Sequence, residues 1–488
     1  QACHNIYIHL ASFDSRKVTS PFDLIGGASD AKIQQIWNDS YDSFLSQEHF
    51  LSDVQGKASR AILNCKSGKL GCNISQCPDC GHLEFNNHSC LTRSCPNCQT
   101  VNKEIWVDKR RAEVIDAPYF HVVFTLPHEL NLLAYCNQKL LYGLLHRCCA
   151  ETLLELSSDK KYLGATPGII QVLHTWNKEI DYHVHMHCIV SGGGLTADHK
   201  IRKSSGIFFI PVQVLLDKFK GKYLSGLDAL YKSQKLTFPS SCQKLRNPYY
   251  WSELRDSLYR KDWCPYIKET FNGFGNAIEY LGRYTHKVAI SNSRILSVDE
   301  RQTVFSAKGK RPGDPRRTIT LDNTEFIRRY LMHVLPPGFQ KIRYYGFLNN
   351  RGKEKPETDI YAPGAPVFPG KIQGIFHGGA LEAVWNIDIL ICPECGCGRM
   401  RCIGRTYAAL LTFHSGRVIK YSFQLRIFWK DSAAEVSAQS AVRIANTKHW
   451  TVTVQRQAAV LFVVVGAEGS DQLFDPLFLP TRQLTIVV

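Results

Sequence analysis

The sequence predicts an α+β fold beside a small cysteine-rich domain, and three observations carry that expectation. Short apolar runs bounded by turn formers alternate with longer stretches of helical period. In His183-Val184-His185-Met186-His187, followed by Cys188-Ile189-Val190, histidines alternate with apolar residues as on a strand, which puts three imidazoles on one face. Two Cys-x-x-Cys pairs, Cys77 with Cys80 and Cys95 with Cys98, stand close together and suit a compact ribbon.

In chain order, residues 1–55 form a polar N-terminal segment with short helices expected near Ala31–Phe44. Residues 56–110 hold the first cysteine cluster and end in the basic, helix-like stretch Lys103–Arg111. Residues 111–350 read as one domain. A strand at Tyr119–Thr125 is interrupted by Pro127, and a long helical pattern follows through Leu130–Leu156. A second strand, Gly168–His174, meets the histidine strand through a turn around Asn177–Asp181, an antiparallel hairpin. Gly192-Gly193-Gly194 is expected to end that strand, as a plain loop or as a close approach of backbone to a bound strand. Helices are expected over Val212–Leu230, Trp251–Tyr259 and Phe274–Thr285, with a strand at Val288-Ala289-Ile290. Residues 351–385 read as a linker region, 386–408 as a second cysteine cluster, and 409–488 as an unassigned region of short threonine- and valine-rich strands.

The 488 residues include 59 Lys and Arg against 43 Asp and Glu, a formal charge of +16 that favours a polyanionic partner such as nucleic acid. The N-terminus lacks a basic region followed by an apolar one, and no late apolar run is long enough to span a bilayer. A cytoplasmic protein without a membrane partner is expected. The chain starts at Gln1, as a fragment would.

Of eighteen cysteines, two groups have thiolate-ligand spacing, which points to zinc in a reducing compartment. Cys77, Cys80, Cys95 and Cys98 are the expected structural zinc ligands of a zinc-ribbon-like domain. Cys90 is a further candidate, with Cys65, Cys72 and His88 near enough in sequence to replace a ligand. Cys392, Cys395, Cys397 and Cys402 form a candidate second metal cluster. A closed four-thiolate site has no open position, so its role is structural or DNA-binding.

Catalytic chemistry is expected elsewhere. His185 and His187 aim two rings at one divalent ion, with His183 as a third ligand or a group that orients phosphate. Tyr280 and Tyr284, four apart in Tyr280-Leu281-Gly282-Arg283-Tyr284, suit one face of a helix and offer two nucleophiles. Arg283, His286 and Lys287 are placed to contact phosphates. Residues 301–350 carry ten Lys or Arg and three Asp or Glu, interleaved with aromatics, a surface suited to a nucleic-acid strand. Arg328, Arg329, Lys341 and Arg343 are its candidate contacts. The residues alone also admit histidines satisfied at a sheet edge and tyrosines packed in a core. They give no role to His174, Asp181 or Asn276, and Glu279, the nearest helical carboxylate, fits the missing ligand only weakly because it adjoins Tyr280.

Four stretches carry a family resemblance: Cys77–Cys98, His121–Leu130, His183–Gly194 and Tyr280–Ser291, with Phe326–Pro336 and Arg343–Gly346 in support. Through them the sequence resembles the two-tyrosine rolling-circle transposases of bacterial insertion sequences, in the HUH endonuclease superfamily, over roughly residues 55–402. The resemblance implies an N-terminal transposase zinc-binding domain and a catalytic domain with an antiparallel sheet flanked by helices. His185-Met186-His187 matches the metal motif, and Tyr280 and Tyr284 match the nucleophiles. It implies cleavage of single-stranded DNA at transposon ends through a 5′-phosphotyrosine intermediate, with Mg2+ or Mn2+, and transfer to a target site. Cys90-Leu91-Thr92-Arg93-Ser94-Cys95 departs from the family's Arg-Asn-Arg-His run. A non-catalytic zinc-dependent DNA-binding protein, or a decayed copy, and a replication initiator nuclease share parts of this pattern. Oligomeric state is left open.

Overall fold

The computed structural model describes most of residues 32–349 and 388–406, with strand backbone at 8–9 and between 410 and 487. Residues 99–102, 111–114, 205–209, 271–281, 283–288 and 350–387 are among those outside the description. The chain divides into two compact units, residues 1–26, 64–90 and 388–488 in one, 27–63 and 91–387 in the other.

The larger unit is built on an antiparallel sheet flanked by helices. Numbered within this unit, its strands are β1 (Tyr119–Thr125), β2 (Thr166–Trp176), β3 (Tyr182–Leu195), β4 (Ile201–Lys203), β5 (Pro265–Thr270), β6 (Ile295–Val298), β7 (Gln302–Ala307), β8 (Arg317–Asp322) and β9 (Ile342–Gly346). Its helices are α1 (Ile33–Ser46), α2 (Asp53–Asn64), α3 (Asn131–Cys136), α4 (Gln138–Ser158), α5 (Val212–Lys232), α6 (Pro248–Arg260) and α7 (Asn323–Met332). The main sheet runs β9-β2-β3-β1-β5, with β4 also paired to β3.

Strand alternation divides the side chains between two faces. Val184, Met186, Cys188 and Val190 of β3, with Ile169 and Leu173 of β2 and Val122 and Phe124 of β1, enter the main core beneath α4 and α5. Leu141, Leu145, Leu153, Phe219 and Tyr223 meet them from the helices. Complete burial of a side chain of this size stabilises by about 1.5–3 kcal/mol, so this face fixes the register of every strand. The opposite face carries a smaller cluster of Val107, Ile115, Tyr119, Ile170, Val172 and Ile189.

The β2–β3 hairpin is shaped by its turn. The Asn177 side-chain oxygen accepts from the backbone N–H groups of Glu179 (2.8 Å) and Asp181 (2.9 Å). His333, just past α7, braces the same hairpin: one ring nitrogen lies 3.0 Å from the Ile180 carbonyl and the other 3.1 Å from the Thr175 hydroxyl. A second antiparallel sheet, β6-β7-β8, packs near α1 and α7 around Trp37, Phe305, Phe326 and Tyr330, with Trp37 edge-on to Tyr330 at 5.0 Å.

Three local expectations are corrected. Gly192–Gly194 does not end the histidine strand, because β3 continues to Leu195. The glycines are packed inside the sheet: a Cβ at Gly192 would stand 2.7 Å from Phe120, and one at Gly194 2.6 Å from the Thr166 carbonyl oxygen. The helix expected over 130–156 is broken at Asn137, whose side chain bonds the Thr237 backbone at both ends of its amide. No strand forms at Ala289 and Ile290, since Ala289 takes a left-handed φ of 47°.

In the smaller unit, the strand Cys72–Gln76 pairs antiparallel with Leu83–Asn87 on one side and Arg401–Thr406 on the other. Further strand backbone follows, including Arg417–Trp429, Trp450–Gln457 and Val460–Ala467.

A candidate metal centre on the sheet and a paired-knuckle cysteine cluster

The residues that face away from the main core on β2 and β3 build the candidate site. Val172 pairs with His187 and His174 with His185, so all four side chains share a face. The metal-ligating nitrogens of His174, His185 and His187 lie within 4.8 Å of one another. His183 shares the strand face, its ring 5.3 Å from that of His185, but falls outside this convergence. The third converging imidazole is therefore His174, which the sequence left without a role. Its signal was available: in the expected hairpin, the end of the preceding strand lies opposite His185.

Neighbours fix the ring orientations. The His185 Nδ1–H donates to the His183 carbonyl oxygen at 2.9 Å, which leaves Nε2 as the ligating nitrogen. His187 Nδ1 lies 2.7 Å from Nε2 of His121, and the two rings stack with a 5° angle between their planes. His121 is buried on β1, two residues from Val123, the cross-strand partner of His187. The sequence reading gave His121 no role at all. His174 stacks on Trp176 at 4.4 Å, a pairing made possible by a bulge between the two.

Burial holds these imidazoles neutral. Desolvation pulls His185 down to about 4, His187 well below the ordinary histidine range, and His183 downward. A neutral imidazole presents the lone pair that a metal needs. The three-nitrogen set fits a divalent first-row ion. Lys341 lies over the Trp176 ring at 4.9 Å, and desolvation lowers its ammonium to about 7, helped by the charge of Arg93.

Tyr280 and Tyr284 lie outside the described residues, as do Arg283, His286, Lys287, Asn276 and Glu279. Gly282 between the tyrosines is described and helical. A Cβ on it would meet Val107 at 2.4 Å. Val107 belongs to the cluster with Val172 and Ile189, so Gly282 stands on the histidine side of the sheet.

The basic candidates separate. Arg328 and Arg329 are ion-paired with Glu325 (2.6 Å each), and Arg329 also with Asp181 (2.5 Å), which ties α7 to the hairpin. Asp181 thus acquires a bracing role. Arg343 pairs across from Gln171, on the face opposite the histidines, and lies over the Phe339 ring at 5.3 Å. Pleat alternation thus sets it apart from the histidine cluster. Lys341 remains on the histidine side, its charge acting on His187.

The cysteines also regroup. Cys77 and Cys80 are joined by Cys392 and Cys395, all four sulfurs lying within 4.8 Å, and not by Cys95 and Cys98. The Cys77 and Cys395 sulfurs are 3.7 Å apart, those of Cys80 and Cys392 3.6 Å. The cause is strand pairing: Arg401 opposite Gln76 sets both Cys-x-x-Cys turns at one end of the ribbon. Cys397 and Cys402 are exposed and outside the set. In the smaller unit the Cys65 and Cys90 sulfurs approach within 4.8 Å, and in the larger unit those of Cys95 and Cys98 do so. Asn97, inside the latter turn, bonds Gln34 of α1 (3.2 Å) and Asn292 (3.0 Å). These cysteine clusters suit structural zinc. No helix among the described residues is long and apolar enough to cross a membrane.

Residues 168–355 match the family described as "Putative transposase", and residues 36–126 match the "Transposase zinc-binding domain". The chain is 37% identical over 378 residues to "Putative transposase y4qJ" of Sinorhizobium fredii (strain NBRC 101917 / NGR234), covering 76% of this chain and 94% of that one. It is 27% identical over 360 residues to "Transposase for insertion sequence element IS801" of Pseudomonas savastanoi pv. phaseolicola, covering 72% and 84%. No solved structure matches it significantly. An antiparallel sheet carrying a histidine cluster, cysteine turns suited to zinc, and relatives matched over nearly their whole length lead to one assignment: the chain belongs to the two-tyrosine rolling-circle transposases of the HUH endonuclease superfamily, with an N-terminal zinc-binding domain.

Proposed function

We propose that this protein cleaves and rejoins single-stranded DNA at transposon ends through 5′-phosphotyrosine intermediates formed by Tyr280 and Tyr284. The observation that carries this reading is the convergence of His174, His185 and His187 on one sheet face, with Gly282 of the tyrosine segment on the same side. A divalent ion held by these imidazoles would polarise the scissile phosphate and stabilise charge that develops on it. One phenol loses its proton and attacks phosphorus. The P–O3′ bond breaks, a Tyr–O–P bond to the 5′ side forms, and the leaving 3′-oxygen takes up a proton. The reverse attack by a 3′-hydroxyl rejoins a strand and frees the tyrosine, so bond energy is conserved without ATP. Lys341, on the histidine side of the sheet, would contact a backbone phosphate.

A donor set of three imidazoles favours Mn2+ over the harder, oxygen-seeking Mg2+. The test is covalent trapping on a denaturing gel, using labelled single-stranded DNA from the element ends and titrating each ion. A metal-dependent adduct lost in the Tyr280→Phe, Tyr284→Phe double variant is expected, with Mn2+ half-saturating at lower concentration than Mg2+. Folded protein that binds this DNA but makes no adduct with either ion would leave only a binding function.

A further inference from the structure

We propose that Cys77, Cys80, Cys392 and Cys395 hold a single structural Zn2+, so that one zinc ribbon is completed by a turn more than three hundred residues downstream of its first half. Neither family match reaches residue 392. The site is independent of the histidine centre and of the proposed reaction.

The two turns are near copies. Cys77-Pro78-Asp79-Cys80-Gly81 and Cys392-Pro393-Glu394-Cys395-Gly396 share residue types at every position. In each, the glycine N–H donates back to the first cysteine's carbonyl, Gly81 to Cys77 at 3.0 Å and Gly396 to Cys392 at 2.9 Å. Both glycines take left-handed backbone, φ 77° and 70°, which a side chain would strain. Each turn is then closed by its following segment, the Cys77 N–H donating to His82 (2.9 Å) and the Cys392 N–H to Gly398 (2.7 Å). Local chain geometry thus presents two sulfurs from each half in the same way.

The halves are also fitted to each other. A Cβ at Gly398 would stand 2.3 Å from the Cys77 sulfur and 2.8 Å from an Asp79 carboxylate oxygen, so only glycine permits this approach. Pairing of Arg401–Thr406 with Cys72–Gln76 holds the turns in register. Four thiols brought together by paired Cys-x-x-Cys turns are the donor set of a closed zinc site. Without a metal, four thiolates this close would repel one another. Zinc here closes a chain loop that contains the whole histidine sheet in sequence, and closing a long loop removes much unfolded-state entropy.

The experiment measures metal content of the full-length protein, purified under reducing conditions, by elemental analysis and native mass spectrometry. Cys77→Ser, Cys80→Ser, Cys392→Ser and Cys395→Ser are each expected to lose the same single equivalent of zinc. The Cys77→Ser, Cys392→Ser double variant should lose no more than either alone. Cys397→Ser and Cys402→Ser should keep the full complement. Because a serine variant can misfold, Cys392→His supplies a second reading: with Co2+ it should keep one bound ion and lose part of the thiolate-to-metal absorption. Full zinc retention in Cys392→Ser, loss of two equivalents in the double variant, or a Cys77–Cys395 disulfide in place of metal would each overturn the proposal.

Discussion

In the histidine sheet, the three converging donors lie within residues 174–187, on two strands joined by one short turn. In the cysteine ribbon, sulfurs that touch are separated by 312 and 318 residues. The sheet places its donors by pleat alternation and one hairpin register, both properties of a short stretch of chain. The ribbon places its donors by pairing strands from distant parts of the sequence. A further contrast lies in what surrounds the donors: the histidines are aimed by the His183 carbonyl and by His121, whereas the cysteines are aimed by the turns that contain them. Local spacing therefore marks candidate ligands in both regions, but their partner lies one hairpin away in the first and more than three hundred residues away in the second.

The largest effect is expected where the comparison is most direct. His185→Ala with His187→Ala should reduce metal-dependent adduct formation to background while leaving zinc content unchanged. His183→Ala should cost far less, about tenfold or under, because it acts only through a backbone carbonyl that the substitution keeps. Equal damage from His183→Ala would break the three-donor assignment.

Next comes the opposite face of the same strand. Met186→Ala should destabilise the larger unit by about 2–5 kcal/mol in urea unfolding, with Mn2+ affinity of the folded fraction unchanged. A parallel loss of affinity would show that the two faces are not independent. His121→Phe should weaken Mn2+ binding about 10–100-fold with little change in rate at saturating ion. His121→Asn, which keeps a polar partner for His187, should recover part of it. A loss of rate that excess Mn2+ does not restore would assign His121 some other role.

The smallest effect is a pH dependence. His146 is buried in the main core with the Gln171 amide 2.8 Å from Nδ1, and burial pulls it down to about 3. The unfolded chain binds a proton there below about pH 6.5, and the folded chain does not until about pH 3. Stability from this group is thus present above pH 6.5 and is lost as the pH falls through that window. His146→Leu should flatten this part of the stability curve in denaturant titrations, and an unchanged slope would assign the acid loss to other groups.

The sequence carried much of the sheet unit. Alternation at His183–Val190 marked β3 and the face its histidines share, and Asn177–Asp181 marked the hairpin turn. It missed His174 and His121, because a lone histidine in an apolar strand reads the same whether it faces a core or a metal. It could not say which face Arg343 takes, since the register of β9 against β2 depends on a partner more than 160 residues away. The glycine run looked like a loop because the crowding that requires glycine at 192 and 194 comes from Phe120 and Thr166, on other strands.

What the sequence determined by itself is what short-range physics dictates: strand faces, turn chemistry, the ligand type of each Cys-x-x-Cys turn, and a basic charge suited to nucleic acid. The tertiary structure alone decided which cysteine turns meet and which histidine joins His185 and His187. The reason is that a turn or a strand fixes the direction of its own side chains. Which other segment those side chains meet is set by the packing and strand pairing of the whole chain.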